Sequence, residues 1–354
     1  MSPDLVGILE AAYETAADDE HWLRELIGRI RPNFRDCPAI YGMLYDDADL
    51  SRIRIDKLIG LDLPAGWEAQ VHAVGEMIGP LLFARLFRSG PIATFNERLG
   101  DNHPAGKAFL AGLGSQDLER VERLRVSLAG FGADSVGMVA SDPSGRSCHI
   151  ATLQSQVTKL SVGEVELWTR VSAHVAAGHR IRRQLAALDE RQRGPDGADA
   201  VLRPDGRVEH AAPAAASPVA REALRSAVKA LDRARSRLRR TDPNQAVEVW
   251  RGLVAGRWSV LDHFDGDGRR FVLARRNDPA ARPVQQLSNR ECQVIGYAAL
   301  GHSNKLIAYE LGLAASTIAN HLSRAAAKLG FDSRVTLIDA VSRLAPQPLP
   351  PVTA

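Results

Sequence analysis

The sequence predicts a multidomain chain in which an α+β region, built in two successive parts, precedes an all-α unit of four short helices. The 354 residues exceed a typical single domain, and length alone argues for two or three. Two stretches, 39–154 and 200–275, alternate apolar and polar residues between turns rich in Gly, Pro and Asp, as antiparallel strands do. Residues 287–341 instead carry apolar positions at helical spacing, interrupted by Gly301, Gly312 and Gly330.

Apolar residues make up 45% of the chain and charged residues 25%, enough material for ordinary cores. No apolar run approaches the roughly 20 residues of a membrane span, and MSPDLVGILEAAYETAADDE is acidic where a signal peptide is basic. A cytoplasmic protein without a membrane partner is expected. Cys37, Cys148 and Cys292 are odd in number and far apart, so buried free thiols are expected rather than disulfides or a zinc knuckle. The net charge of +3 is too small to identify a nucleic-acid partner, so charge distribution must decide.

The first part, 1–193, opens with two helices over 4–35, the second burying Trp22, Leu23, Leu26, Ile27 and Ile30. Strands are expected at 39–45 and 51–60, a helix from Trp67 to about Phe87, and a ligand-facing loop with one short helix over 88–114. A weak strand over Arg120–Leu128 precedes strands at 135–140 and 148–154, joined through the Asp142-Pro-Ser-Gly145 turn. A long exit helix then runs from Gly163 towards Arg193. Its Leu167, Val171, His174, Gly178, Ile181, Leu185 and Leu188 alternate steps of four and three, the spacing of a coiled-coil seam or of a buried helix face. This order of helices, strand meander and exit helix resembles a GAF-type sensory domain. An unspecialised α+β scaffold is the alternative.

The second part, 198–278, follows the Gly194-Pro-Asp-Gly197 linker. Hairpins over 200–210 and 258–275 bracket a helix from Val219 to Arg240, a layout that resembles a degenerate PAS domain. Leu224, Leu231 and Leu238 form that helix's narrow apolar seam, and eight Arg and Lys residues face only Glu222 and Asp232. Contact with DNA phosphates is one reading of this basic face; a solvated Arg-rich surface is the favoured one.

In the third part, 285–345, each helix has a start and a stop. Ser288 and Glu291 form a capping box, and Gly301 ends the first helix. Ser303 caps a second through Leu311, and Gly312 stops it; a third carries Ile318, Leu322, Ala325 and Leu329 on one face and ends at Gly330; Ser333 caps a fourth over 334–344. Two short helices joined by a tight Gly-containing turn make a helix-turn-helix. Leu287-Ser288-x-Arg290-Glu291, Gly301-x-Ser303-Asn304-Lys305-x-Ile307-Ala308, Thr317-Ile318-x-x-His321-Leu322, Lys328-Leu329-Gly330 and Ser333-Arg334 closely resemble the DNA-binding domain of LuxR-type transcription regulators.

That resemblance implies a double-stranded DNA partner and a set of roles. Ser303, Asn304, Lys305 and Thr317 would approach phosphates; Ala319, Asn320 and Ser323 would face base edges; Arg324 and Lys328 are further phosphate candidates. His321 would be structural. The fourth helix, through Leu337, Ile338 and Val341, would form a homodimer on an inverted repeat, and RNA polymerase is a candidate partner. Two departures bear on affinity. Ala319 stands where the family usually has Lys, and Ala314 where a Ser usually caps the third helix, an exchange that costs about 0.5–2 kcal/mol. They motivate a rival: a protein-interaction regulator that keeps the fold but binds DNA weakly.

No catalytic constellation is found, so an enzyme is not expected. Gly130-Phe-Gly132 and Gly112-Leu-Gly114 lack a third glycine at dinucleotide spacing, and no phosphate-loop Gly-Lys-Ser/Thr exists. His72 and Glu76 lie one helical turn apart without further metal ligands, and Asp262, Asp265 and Asp267 miss calcium-loop spacing. No cofactor is identified, and an unnamed small-molecule ligand stays open. The Pro-rich tail, 346–354, is expected to be disordered.

Overall fold

The structure, a computed structural model, describes residues 4–49, 53–250, 252–254, 258–279, 281, 284 and 287–343. The tail from 346 therefore lies outside the described residues. An N-terminal mixed α/β region with two antiparallel sheets precedes a C-terminal all-α bundle.

The first sheet has the order β2-β1-β5-β4-β3, with β1 Ala39–Asp46, β2 Arg54–Leu61, β3 Ile92–Thr94, β4 Asp134–Ala140 and β5 Arg146–Gln154. Helices α1 Leu5–Ala12, α2 Asp19–Ile30 and α8 Val162–Ala186 cover one face. Period-two alternation sends Ile40, Leu44, Val136, Met138, Cys148 and Ile150 into that core. The other face meets α3 Trp67–Met77 and α4 Pro80–Phe87, with Met43, Tyr45 and Phe83 buried between. Further out lie α5 Phe95–Leu99, α6 Pro104–Ala111 and α7 Ser115–Leu128.

Several expected elements differ. Arg120–Leu128 is not a strand but the end of α7: Val121 and Leu124 are buried three apart, and Val126 is exposed, which is helical periodicity. The helix expected over 67–87 is two, broken at Ile78–Gly79, with Pro80 starting α4 as a first-turn proline. The expected loop over 88–114 contains β3, α5 and α6. The exit helix stops at Ala186, and a short α9, Glu190–Arg193, follows.

The second sheet has the order β7-β6-β10-β9-β8, built from β6 Ala200–Leu202, β7 Val208–Ala211, β8 Leu253–Val254, β9 Trp258–Phe264 and β10 Arg270–Arg276. Numbered within each sheet, both follow the order 2-1-5-4-3. Helix α10, Pro218–Arg233, buries Leu224, Val228 and Leu231 against the second sheet's core, which is continuous with that of the first. The helix expected to reach Arg240 breaks at Ser236, which has non-helical backbone angles. A short α11, Arg239–Thr241, and α12, Pro243–Val249, follow. Two of the basic residues here are tied within the chain: Arg235 pairs with Glu10 and Asp262, and Arg239 with Asp4 and Glu10.

Helix α8 runs through the middle of the region, and every residue from Ser172 to Arg182 is buried. The spacing read as a seam is thus a buried face within one chain. A Cβ at Gly178 would stand 2.0 Å from the Ala12 carbonyl oxygen, so only glycine lets the end of α1 cross there.

The bundle comprises α13 Asn289–Ala299, α14 Asn304–Leu311, α15 Ala315–Leu329 and α16 Arg334–Arg343 around Ile295, Tyr297, Ile307, Leu311, Ile318 and Leu322.

Candidate nucleic-acid interface

Local signals fix the bundle's geometry. The Ser288–Glu291 capping box starts α13, and Ser303 Oγ accepts from the Leu306 amide at 3.2 Å to start α14. Gly312, at φ +62°, turns the chain between α14 and α15, and Gly330, at φ +75°, ends α15. Ala314 occupies the N-cap of α15, where no side chain receives an amide.

Helix α15 is sharply two-faced. Ile318, Leu322, Ala325 and Ala326 are buried, whereas Ala319, Asn320, Ser323, Arg324 and Lys328 are exposed and Thr317 and His321 half-buried. The exposed face presents an amide, a hydroxyl and a guanidinium, groups able to meet base edges and phosphates. Ser303 is exposed but engaged as a cap, and Asn304 is half-buried.

Two of the expected phosphate contacts are engaged in ion pairs. Lys305 reaches the Glu166 carboxylate on α8 at 3.1 Å, with both side chains largely exposed. Lys328 reaches Glu291 at 2.8 Å, closing α15 onto the capping box of α13. The Lys328 hydrogen bond, and then the Ser288 amide, hold the Glu291 carboxyl down at about 2. In α16, Leu337 is fully buried in the bundle's own core, with Ile338 and Val341 packed beside it; Val335 is 75% exposed.

The bundle is docked on the rest of the chain through polar groups that sequence reasoning did not assign. Both ring nitrogens of His174 are occupied, one by the Tyr13 hydroxyl at 3.0 Å and the other by Tyr309 at 2.7 Å. Arg180 donates to Tyr297 Oη and to the Asn277 carbonyl oxygen, each at 3.0 Å, and pairs with Asp142. Burial opposes the Asp142 charge, but Arg180 overrides it and holds that carboxyl below its ordinary value. A Cβ at Gly301 would stand 2.4 Å from the Arg88 carbonyl oxygen, so the turn before α14 lies directly on the loop after α4. The available signal was polarity out of place at His174, which interrupts the apolar seam of α8; Arg180, in the run His179-Arg180-Ile181-Arg182-Arg183, carried no such mark.

Residues 285–341 match the family described as bacterial regulatory proteins, luxR family. A candidate transcriptional regulator of Pseudomonas aeruginosa is 37% identical over 81 residues, 23% of this chain and 39% of that protein. The Fimbriae Z protein of Salmonella typhimurium is 34% identical over 101 residues, 28% of this chain and 46% of its own length. The chain thus spans less than half of either relative. A crystal structure of Escherichia coli SdiA aligns over 94% of both chains at 9% identity, but its TM-score of 0.30 defines no common fold. Matched in sequence and built as two short helices about a left-handed glycine, the C-terminal unit of this chain is a helix-turn-helix domain of the LuxR type.

Proposed function

We propose that the protein is a cytoplasmic, sequence-specific DNA-binding transcription regulator whose N-terminal region senses a ligand or partner. The observation that carries this reading is the face of α15: Asn320, Ser323 and Arg324 stand in solvent on a helix whose opposite side is locked into the bundle. In this reading α15 enters the major groove, where Asn320 pairs with an adenine edge through its amide and Ala319 offers only a methyl contact. Ser303, Asn304, Lys305, Thr317, Arg324 and Lys328 approach phosphates. Helix α16 supplies the dimer contact through the partly buried Ile338 and Val341 and the exposed Val335, Leu337 being taken up by the bundle's own core, and RNA polymerase is a further partner. Selection of genomic fragments by the full chain at physiological salt, followed by sequencing, tests this; retention of random and genomic DNA alike would reject it.

A second reading, a protein-interaction regulator with weak DNA affinity, draws on Ala319, the uncapped Ala314 and the Lys305–Glu166 pair. Specific retention in the same experiment rejects it.

A further inference from the structure

On the side of the first sheet away from α8 lies a cavity of about 340 Å³, within the ~300–1,000 Å³ range of small-molecule sites. Its wall is chiefly apolar, drawn from Tyr41, Met43, Ile55, Phe83, Phe87 and Leu124. Two buried titratable side chains interrupt that wall, and the half-buried Ser135 lines it as well.

The first is His149. Alternation along β5 turns Cys148 and Ile150 under α8 and sends His149 to the cavity side, between the rings of Tyr41 and Phe87. The residue is 7% exposed, and its Nδ1 has no hydrogen-bond partner. Burial, with the charge of Arg98 nearby, lowers its pKa to about 3, so the ring is neutral at physiological pH. The second is Arg98 of α5, 4% exposed. Its guanidinium donates to the carbonyl oxygens of Leu86 and Gly90 and to the Ser89 hydroxyl, and among the described residues no carboxylate forms an ion pair with it. Burial lowers its pKa to about 10, which leaves it charged at neutral pH. Dipoles solvate such a cation without neutralising it, so an anion arriving beside it recovers Coulomb energy in a low-dielectric setting.

We propose that this cavity binds a small apolar monocarboxylate, its body against Met43, Phe83 and Phe87 and its carboxylate directed to Arg98 and His149. One cation matches one carboxylate; a phosphate dianion would leave excess charge against apolar walls, and a neutral ligand would leave Arg98 uncompensated. Arg54, His72 and Glu76 lie on the exposed rim, where water and salt screen their charges. This inference rests on the sensing role proposed above and gives it a ligand class.

Isothermal titration of the full chain with benzoate, phenylacetate, 1-naphthaleneacetate and decanoate, each beside its uncharged amide, tests the assignment. At least one acid is expected to bind about tenfold or more tightly than its amide, the effect of charge-assisted hydrogen bonds. Arg98→Met should bring that ratio to within about threefold, and His149→Phe should weaken the acid about fivefold. Should Arg98→Met fail to fold, the wild-type ratio and His149→Phe decide. Equal binding of every acid and amide, no binding by about 1 mM, or an unchanged acid affinity in His149→Phe overturns the proposal. None of these titrations contains DNA, so their failure is separable from failure of the DNA-binding reading.

Discussion

The Tyr309 hydroxyl lies 2.7 Å from Nε2 of His174, and this contact joins the helix-turn-helix domain to the long helix α8. Tyr13 holds the other ring nitrogen, so the imidazole is hydrogen-bonded on both sides. Tyr309→Phe removes the contact without changing the ring's volume and should loosen docking by about 0.5–1.5 kcal/mol. Hydrogen exchange of the α14 amides is expected to accelerate while the remaining bundle stays protected. Unchanged exchange would show that the contact contributes nothing to docking.

The recognition proposed for α15 predicts two different signatures. Asn320→Ala should cost about 1–3 kcal/mol on the cognate site and relax preference at one base pair. Lys305→Ala should weaken all DNA sequences alike and reduce the salt slope by about one. Titrations against cognate and scrambled duplexes at several salt concentrations separate the two. Equal losses on both duplexes for Asn320→Ala would remove its base-reading role. Glu166→Gln, which releases Lys305 from an exposed pair, should alter affinity by no more than about 1 kcal/mol.

The start of α15 offers a gain of stability. Ala314→Ser supplies an acceptor to first-turn amides that have none from a side chain, so the domain should gain about 0.5–2 kcal/mol. Urea unfolding should show a higher midpoint with an unchanged slope; a changed slope would indicate an altered denatured state instead.

Acid should weaken the bundle through Glu291. Its folded pKa, about 2, lies below the ordinary 4.5, so its stabilisation is fully present above pH 4.5 and is lost as pH falls towards 2. Glu291→Gln keeps a capping-box partner for Ser288 and removes this titration. Urea midpoints measured between pH 7 and 3 should therefore fall less steeply in the variant than in the wild type.

The bundle was legible because its signals are local. Ser288, Ser303, Gly312 and Gly330 act on backbone groups within a few residues, and each does in the structure what its chemistry predicts. Helix α7 was obscured because Val121, Leu124 and Leu128 sit among charged residues in a pattern that a short window reads either way. The docking contacts were hidden for another reason. His174 meets Tyr309 across 135 positions and Arg180 meets Tyr297 across 117, so only the assembled fold brings them together. The Lys328–Glu291 pair likewise spans 37 positions, and the exposed face of α15 gave no hint that its last cation pairs with a buried carboxylate of α13.

Helix α8 has 25 residues, a rod of about 37 Å. Its His174 and Arg180 grips on the helix-turn-helix domain lie six residues apart, about 9 Å along that rod. On the same rod, Arg182 is fastened to the segment after α1, and the Ala177 carbonyl to Asn277 beyond the second sheet. A stiff element clamped at so many points cannot yield at one of them alone. The first sheet and the helix-turn-helix domain thus share one support, and α8 is a common spine rather than a linker between them.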